Sequence, residues 1–337
     1  MDVRQLECFL AVVDHGSMTK AASAVHLAQP SLSQIIRKLE RELKTDLFRR
    51  VGRGLVLTPA GESLIGPSRL VVRDMAQVRD VAQGFRGLEA GRLDVGCVST
   101  LARDFIAEWV GAFRRRYPGM TVRIDLHEDP QGVADRVSSG SCELGYSTVR
   151  VARKGVVTRA FADQHLALAL PPGLGTELPE PVPLAGLSGV PFVLVRGAGS
   201  ANFDTVSLLA EYGLAPTIVV ELNDDTSLVP LVLSGAGAAF IPLRHAVEAG
   251  RRGATTRSTV PPLSRPLYVV CREGPLSPAA QAFLDLNTLE LQRWSTAIAE
   301  RQAAGSTLVE AATLTDDTIN RGYARLGPQI RASFRAE

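Results

Sequence analysis

Three kinds of chemistry are under-supplied in this sequence, and each shortage excludes something. Four cysteines occur in 337 residues, Cys8, Cys97, Cys142 and Cys271, and none sits in a C-x-x-C pair. All four lie in apolar runs, so they read as reduced core residues of a reducing compartment. Charge of one sign is not in excess: 37 Lys+Arg against 35 Asp+Glu leave a net charge of +2. Any basic surface must therefore be local. Long unbroken apolar runs are missing too. The longest uncharged stretch, "TSLVPLVLSGAGAAFIPL" from Thr226 to Leu243, is divided by Pro230, Gly235, Gly237 and Pro242 into a short helix and a short strand. The opening "MDVRQLECF" lacks the basic and then apolar layout of a signal peptide. Together these predict a cytoplasmic protein with no membrane contact.

Catalytic motifs are also absent. No G-x-S-x-G elbow, P-loop or H-E-x-x-H occurs. "GAGSAN" (197–202) and "GAGAAF" (235–240) both lack the third glycine of a dinucleotide fingerprint. His127 stands beside Glu128 and Asp129 without partners at metal spacing, which predicts a surface loop. The expectation is no enzyme, no cofactor and no metal.

What is present divides the chain. Residues 1–58 are helical by pattern and then strand-like. Leu6, Phe9, Leu10 and Val13 follow helical spacing, with Gly16 as the stop. Ser17 can cap a second helix carrying Ala21, Ala22 and Val25. The third helix has Pro30 in its first turn and an inner stripe of Leu32, Ile35, Ile36, Leu39 and Leu43. "FRRVGRGLVLT" then reads as two short strands around Gly52-Arg53-Gly54. Residues 59–88 carry Leu64, Val71, Val78 and Phe85 every seven residues, a stripe suited to pairing with a second copy. Gly66-Pro67 predicts a kink or late start there.

From Gly91 the rhythm becomes βαβ, which predicts open, mostly parallel α/β sheets. The number of strand candidates suits two small sheets better than one. Residues 295–337 are polar and Ala-rich, reading as a helix or two, or as a flexible tail.

Three short helices followed by an arginine-tipped turn form a winged helix-turn-helix pattern. A helix entering the major groove must bury one stripe and present donors and acceptors on the other side. Ser33, Gln34, Arg37 and Arg41 oppose the Leu/Ile stripe in this way. Ser17, Thr19 and Lys20 start the helix that would cross the DNA backbone, and Arg49, Arg50 and Arg53 sit on the wing, which contains no acid. Plain solvation would also suit Gln and Ser on a helix face.

The segment "FLAVVDHGSMTKAASAVHLAQPSLSQIIRKLE", the following "LFRR" and "LTPAGE" closely resemble the DNA-binding end of LysR-type transcriptional regulators. The resemblance implies that Gln29, Ser31, Ser33, Gln34 and Arg37 face bases and phosphates, with Arg50 and Arg53 at the wing. Many relatives carry a basic residue where Gln34 stands, so base preference is expected to differ. Further along only scattered pieces match, among them "RLDVGCVSTL", "CELGY" and "LVLSGAGAAFIP". There the resemblance implies a linker helix and a two-lobed effector domain over 91–294, similar to periplasmic binding proteins. Lobe I would take about 91–160 and 266–294, and lobe II about 161–265. It also implies a small-molecule effector and a homodimer rising to a homotetramer.

In open α/β sheets, ligands lie beyond the carboxyl ends of strands. The residues placed there are Ser99, Thr100, Ser147, Thr148, Ser200, Asn202 and Thr226. Small hydroxyl and amide side chains suit a small anion better than a metal, although any one of them is equally a helix cap. The expected function is a DNA-binding regulator with double-stranded DNA, the effector and itself as partners, and RNA polymerase as a further one. The alternative is thiol-based redox sensing through Cys97 and Cys142.

Overall fold

The structure, a computed structural model, describes residues 1–51, 54–83, 88, 90–195, 205–213, 215–223 and 225–319. Three helices open the chain: α1 (Val3–His15), α2 (Met18–Ala24) and α3 (Gln29–Leu43). Asp2 and Gln5 close a reciprocal capping box on α1, and Gly16 ends it at φ 61. Leu6, Phe9, Val12, Ala21, Leu32, Ile36, Leu39 and Leu47 form one buried cluster. The small Ala21 and Ala22 let α2 approach its neighbours closely. Ser17 stands at the N-cap position of α2, but its hydroxyl makes no capping bond, contrary to the sequence reading.

The wing follows as β1 (Phe48–Val51) and β2 (Gly54–Leu57), an antiparallel pair. Glu40 fastens it to α3, its Oε1 accepting from the N–H groups of Leu47 at 2.9 Å and Phe48 at 3.2 Å. Helix α4 (Pro59–Gln83) then runs unbroken through Pro67, so the late start expected at Gly66-Pro67 does not occur. Thr58 pins its first turn to the wing base: the hydroxyl donates to Asp46 O at 2.7 Å and accepts from Gly61 N at 3.1 Å. Farther along, Arg69 reaches Asp14 of α1 at 2.6 Å, and Arg73 donates to Cys142 O at 2.8 Å. The helix thus joins both halves of the chain.

The second half comprises β3 (Gly91–Val98), α5 (Ser99–Leu101), a π-turn over Ala102–Ile106, α6 (Ala107–Arg116), β4 (Met120–His127), α7 (Pro130–Ser138), β5 (Leu144–Ser147) and β6 (Val156–Leu170). Next come β7 (Val182–Pro183), β8 (Pro191–Val195), α8 (Thr205–Glu211), β9 (Thr217–Leu222), α9 (Leu228–Leu233), β10 (Ala239–Pro242) and α10 (Leu243–Arg251). The last elements are β11 (Thr255–Arg257), β12 (Thr259–Val260), β13 (Leu263–Arg272) and α11 (Pro278–Ala303).

Strand β3 pairs in parallel with β4 and β5, but β13 runs antiparallel to β5 and β6, and β10 antiparallel to β6. The sheet is therefore mixed, and its order β10-β6-β13-β5-β3-β4 joins strands of both lobes. Two separate sheets were expected; instead the long strands β6 and β13 carry one ladder from lobe to lobe. Strands β8 and β9 form a parallel pair beside it. The break expected at Trp294 falls inside α11, because Leu291, Trp294 and Ile298 continue its buried stripe. A further helix over 308–319 packs on lobe II through Leu308, Val309, Ala311 and Ala312.

Candidate DNA interface and effector cleft

Helix α3 buries Leu32, Ile36 and Leu39 and turns Gln29, Ser31, Gln34, Arg37 and Arg41 outward, all exposed. Ser33 is half-buried on the flank. Its N-cap is Ala28, with no side chain bonded to the first turn. The first turn of α3 is closed by its own backbone: Ser31 N and Leu32 N donate to Ala28 O at 3.0 and 3.1 Å, and Pro30 has no N–H, so it is the exposed side chains that are left to meet DNA. Thr19 and Lys20 are exposed at the start of α2, Ser17 half-buried before them, and Arg49 and Arg50 exposed on β1. Arg53 lies outside the described residues. Sequence reasoning missed Glu40, whose carboxylate fixes the angle between α3 and the wing. Nothing in the sequence sets Glu40 apart from its neighbours Glu42 and Asp46.

The predicted effector residues divide. Ser99 and Thr100, half-buried, follow the carboxyl end of β3, and Ser99 Oγ donates to His127 O at 3.3 Å. Ser147 is buried with its hydroxyl spent locally, donating to Val149 O at 2.8 Å and accepting from Val149 N at 3.1 Å. It acts as a turn clamp, with Thr148 buried beside it. Thr226 is exposed in the turn before α9, which begins two residues later than expected. Ser200 and Asn202 lie outside the described residues.

Between the lobes lies a charged cluster that sequence reasoning did not find. Asp104, in the π-turn of lobe I, is buried and accepts from Gln164 Nε2 of β6. Gln164 Oε1 accepts in turn from Arg265 Nε of β13 at 2.6 Å. Arg244, at the start of α10 in lobe II, donates to Glu108 and holds its Nε 3.9 Å from Asp104 Oδ1. Its guanidinium lies 4.9 Å from the ring centres of both Phe105 and Trp294. Arg103 pairs with Asp225 across the same junction. Burial pushes the Asp104 carboxyl above the usual range, outweighing His245 and Arg244. Burial likewise draws Arg265 down to about 10, more than Asp104 and Asp225 restore.

The cysteines are in the opposite setting from a sensor thiol. Cys97 and Cys142 are buried, and burial raises each to about 12, leaving almost no thiolate at neutral pH. Cys142 faces Asp125 at 3.9 Å, a carboxylate rather than a cation. His127 ends β4, half-buried, with Nε2 3.5 Å from Asp125 Oδ2, so it is not a free surface loop residue. Among the described residues no group of His, Cys, Asp and Glu is arranged to hold a metal. Nor is any described helix long and apolar enough to cross a membrane.

Comparison with known proteins decides the family. Residues 3–62 match "Bacterial regulatory helix-turn-helix protein, lysR family", and residues 86–289 match "LysR substrate binding domain". The chain belongs to the LysR family of transcriptional regulators. The RuBisCO operon transcriptional regulator of Allochromatium vinosum is 30% identical over 298 residues, covering 87% of this chain and 97% of its own. The fold is similar to that of CbnR, solved with its target DNA, at TM-score 0.58 and 22% identity, covering 85% of this chain and 98% of that one. It is also similar to a mutant of OxyR from Corynebacterium glutamicum, at TM-score 0.62 and 20% identity, with 94% and 95% covered. This LysR-type regulator thus pairs a DNA-binding domain with an effector-binding domain.

Proposed function

We propose that α3 and the wing read operator DNA directly, with Gln29, Ser31, Ser33, Gln34 and Arg37 on the bases and adjoining phosphates. In this reading Ser17, Thr19, Lys20, Arg50 and Arg53 hold the backbone. The exposed polar face of α3, opposite its buried Leu32, Ile36 and Leu39, carries the proposal. Short polar side chains of this kind both donate to and accept from base edges. Two copies pair through α4, whose Val71, Met75 and Val78 stand exposed at helical spacing. Such pairing sets two recognition helices one DNA turn apart, roughly 34 Å, or a multiple of it. The family likeness extends this to a tetramer acting in the cytoplasm, with RNA polymerase as a further partner.

The effector is a small anion held between the lobes near Ser99, Thr100, Thr148 and Thr226. Arg265, half-buried and donating to Gln164 at the junction, places a cation beside that cleft and supports this reading. Ligand binding shifts the lobes only by its differential affinity for their two arrangements.

Two substitutions test the DNA half together. Arg50→Ala is expected to weaken binding to every sequence and to lower the salt slope by about one log unit per log unit. Gln34→Ala is expected to relax base preference at one position per half-site, by about 1–3 kcal/mol. Electrophoretic mobility shifts on a randomised operator library separate the two. If Gln34→Ala lowers binding uniformly, α3 only positions the protein. For the cleft, Thr100→Ala is expected to leave operator affinity unchanged while blunting the transcriptional response to the inducing condition; an intact response in a reporter assay removes Thr100 from the site.

A further inference from the structure

The LysR family match ends at residue 289, yet the chain continues in ordered structure for thirty residues. The Allochromatium vinosum regulator is covered over 97% of its length by only 87% of this chain. Residues 290–319 lie beyond the family match, and the structure shows where they go. Helix α11 starts in lobe I, where Ser277 caps it and Phe283 packs against Phe113 of α6 with ring centres 5.3 Å apart. It crosses the junction at Trp294, beside Arg244 of lobe II. It ends at Ala303, and Gly305 reverses the chain at φ 99. A second capping box then starts helix 308–319: Glu310 N donates to Thr307 Oγ1 at 3.3 Å, and Thr307 N to Glu310 Oε2 at 2.9 Å.

That helix is seated on lobe II. Leu308, Val309, Ala311, Ala312 and Thr315 are buried. Val309 N donates to Ser258 Oγ, between β11 and β12, at 3.1 Å. Arg251, the last residue of α10, closes on Asp316 at 2.6 Å and Asp317 at 2.5 Å. Arg301 of α11 reaches Thr318 Oγ1 at 3.3 Å and holds the two helices together.

We propose that residues 304–319 are a strap that limits rotation of the two lobes about β6 and β13. The lobes are otherwise linked through those two long strands, the polar contacts of the cleft and a shared apolar core. A helix that leaves lobe I and is clasped to lobe II adds a further covalent path among the described residues. Any change in lobe angle must then bend α11, slide helix 308–319 on α10, or release the Arg251 clasp. The strap therefore sets how far, and at what cost, the effector domain rearranges. This inference does not depend on which effector binds.

Hydrogen exchange read by mass spectrometry on the full-length protein tests it. Ala312→Asp places a charge in the buried face of the strap, and Arg251→Gln opens the clasp alone. Release is verified by faster exchange of 308–319. With the strap released, amides of β6 near Gln164 and of β13 near Arg265 are expected to exchange about tenfold faster or more, while α1–α3 are unchanged. Arg251→Gln is expected to give the same pattern to a smaller degree, and added salt, which screens the Arg251 ion pairs, is expected to move the parent toward it while changing the variant little. Unchanged exchange in β6 and β13 after verified release overturns the proposal. So does acceleration spread evenly through α10, β11 and β8, which would make helix 308–319 merely part of the lobe II fold.

Discussion

Gly61→Ala is expected to unfold the DNA-binding domain selectively and to abolish operator binding. Helix propensity argues the reverse, since alanine in an ordinary helical position gains about 1 kcal/mol over glycine. At Gly61 the neighbourhood decides. A Cβ there would stand 2.2 Å from Leu47 O and 2.8 Å from Leu57 Cδ2. The first neighbour is backbone and cannot rotate away. Leu47 O also accepts from Thr58 N at 3.0 Å, and Leu47 N is held by Glu40. Relief requires the wing base to separate from the first turn of α4, breaking the anchorage that aims the wing. Overpacking of this kind costs about 1–3 kcal/mol, and an immovable carbonyl puts it at the upper end. A domain of about sixty residues has only a few kcal/mol to lose. Circular dichroism is expected to show an early helical melting step, with the effector-domain transition unmoved. Ser63→Ala, two residues on and exposed, is the control and is expected to change stability by less than about 0.5 kcal/mol. A Gly61→Ala protein that melts and binds like the parent would mean that the wing is not fastened to α4 here.

The glycine of "LTPAGE" thus has a packing reason that the sequence pattern could only mark as a match. More generally, the first sixty residues were readable because their helices bury one stripe and expose the other. Leu32, Ile36 and Leu39 stand at helical spacing, and the structure buries all three. In the effector domain the strands were readable both where they are buried nearly throughout, as β3 and β10, and where burial alternates, as in "TVRIDLH" of β4 and "TIVVEL" of β9. In strand β6 the run "HLALAL" from His165 reads as a strand by its apolar residues, whereas the first half, "VVTRAFAD", is half-exposed and mixes polar with apolar residues. Helix α10 was missed because Arg244, His245 and Glu248 interrupt its short apolar stripe. The sequence reading ended the last effector-domain helix at Leu291, whereas α11 runs on to Ala303 because Trp294 and Ile298 extend its buried stripe among polar neighbours. Asp104 and Arg244 are 140 positions apart, and nothing local tells a buried charge from a solvated one. Only the closing of two lobes makes them neighbours.

Arg244→Ala is expected to cost about 3–5 kcal/mol of effector-domain stability at neutral pH, the usual result of removing one partner from a buried pair. The Arg244 side chain is 11% exposed and that of Asp104 is 1% exposed, so water cannot replace the lost cation. Two ring contacts go with it, each worth about 0.5–2 kcal/mol. Chain unfolding is followed well here, because Trp109 and Trp294 are the only two tryptophans and both pack on Phe105. Urea titrations read by their fluorescence should show the midpoint falling at constant slope. Arg244→Lys is expected to recover only part, since an ammonium lacks the planar fork and stacks less well. The pH dependence follows from Asp104. Its carboxyl is raised in the folded state, so its favourable contribution is complete below the ordinary carboxylate range and is lost as pH rises through the folded value. Without Arg244 that folded value rises further. The cost of Arg244→Ala should therefore shrink as pH falls toward the unfolded carboxylate range and be largest above it. Asp104→Asn removes the titrating group, and in that background Arg244→Ala should lose most of its cost and nearly all of its pH dependence. A cost that is the same in both backgrounds and flat with pH would assign Arg244 to ring packing and to Glu108, and would leave Asp104 without a role in holding the lobes.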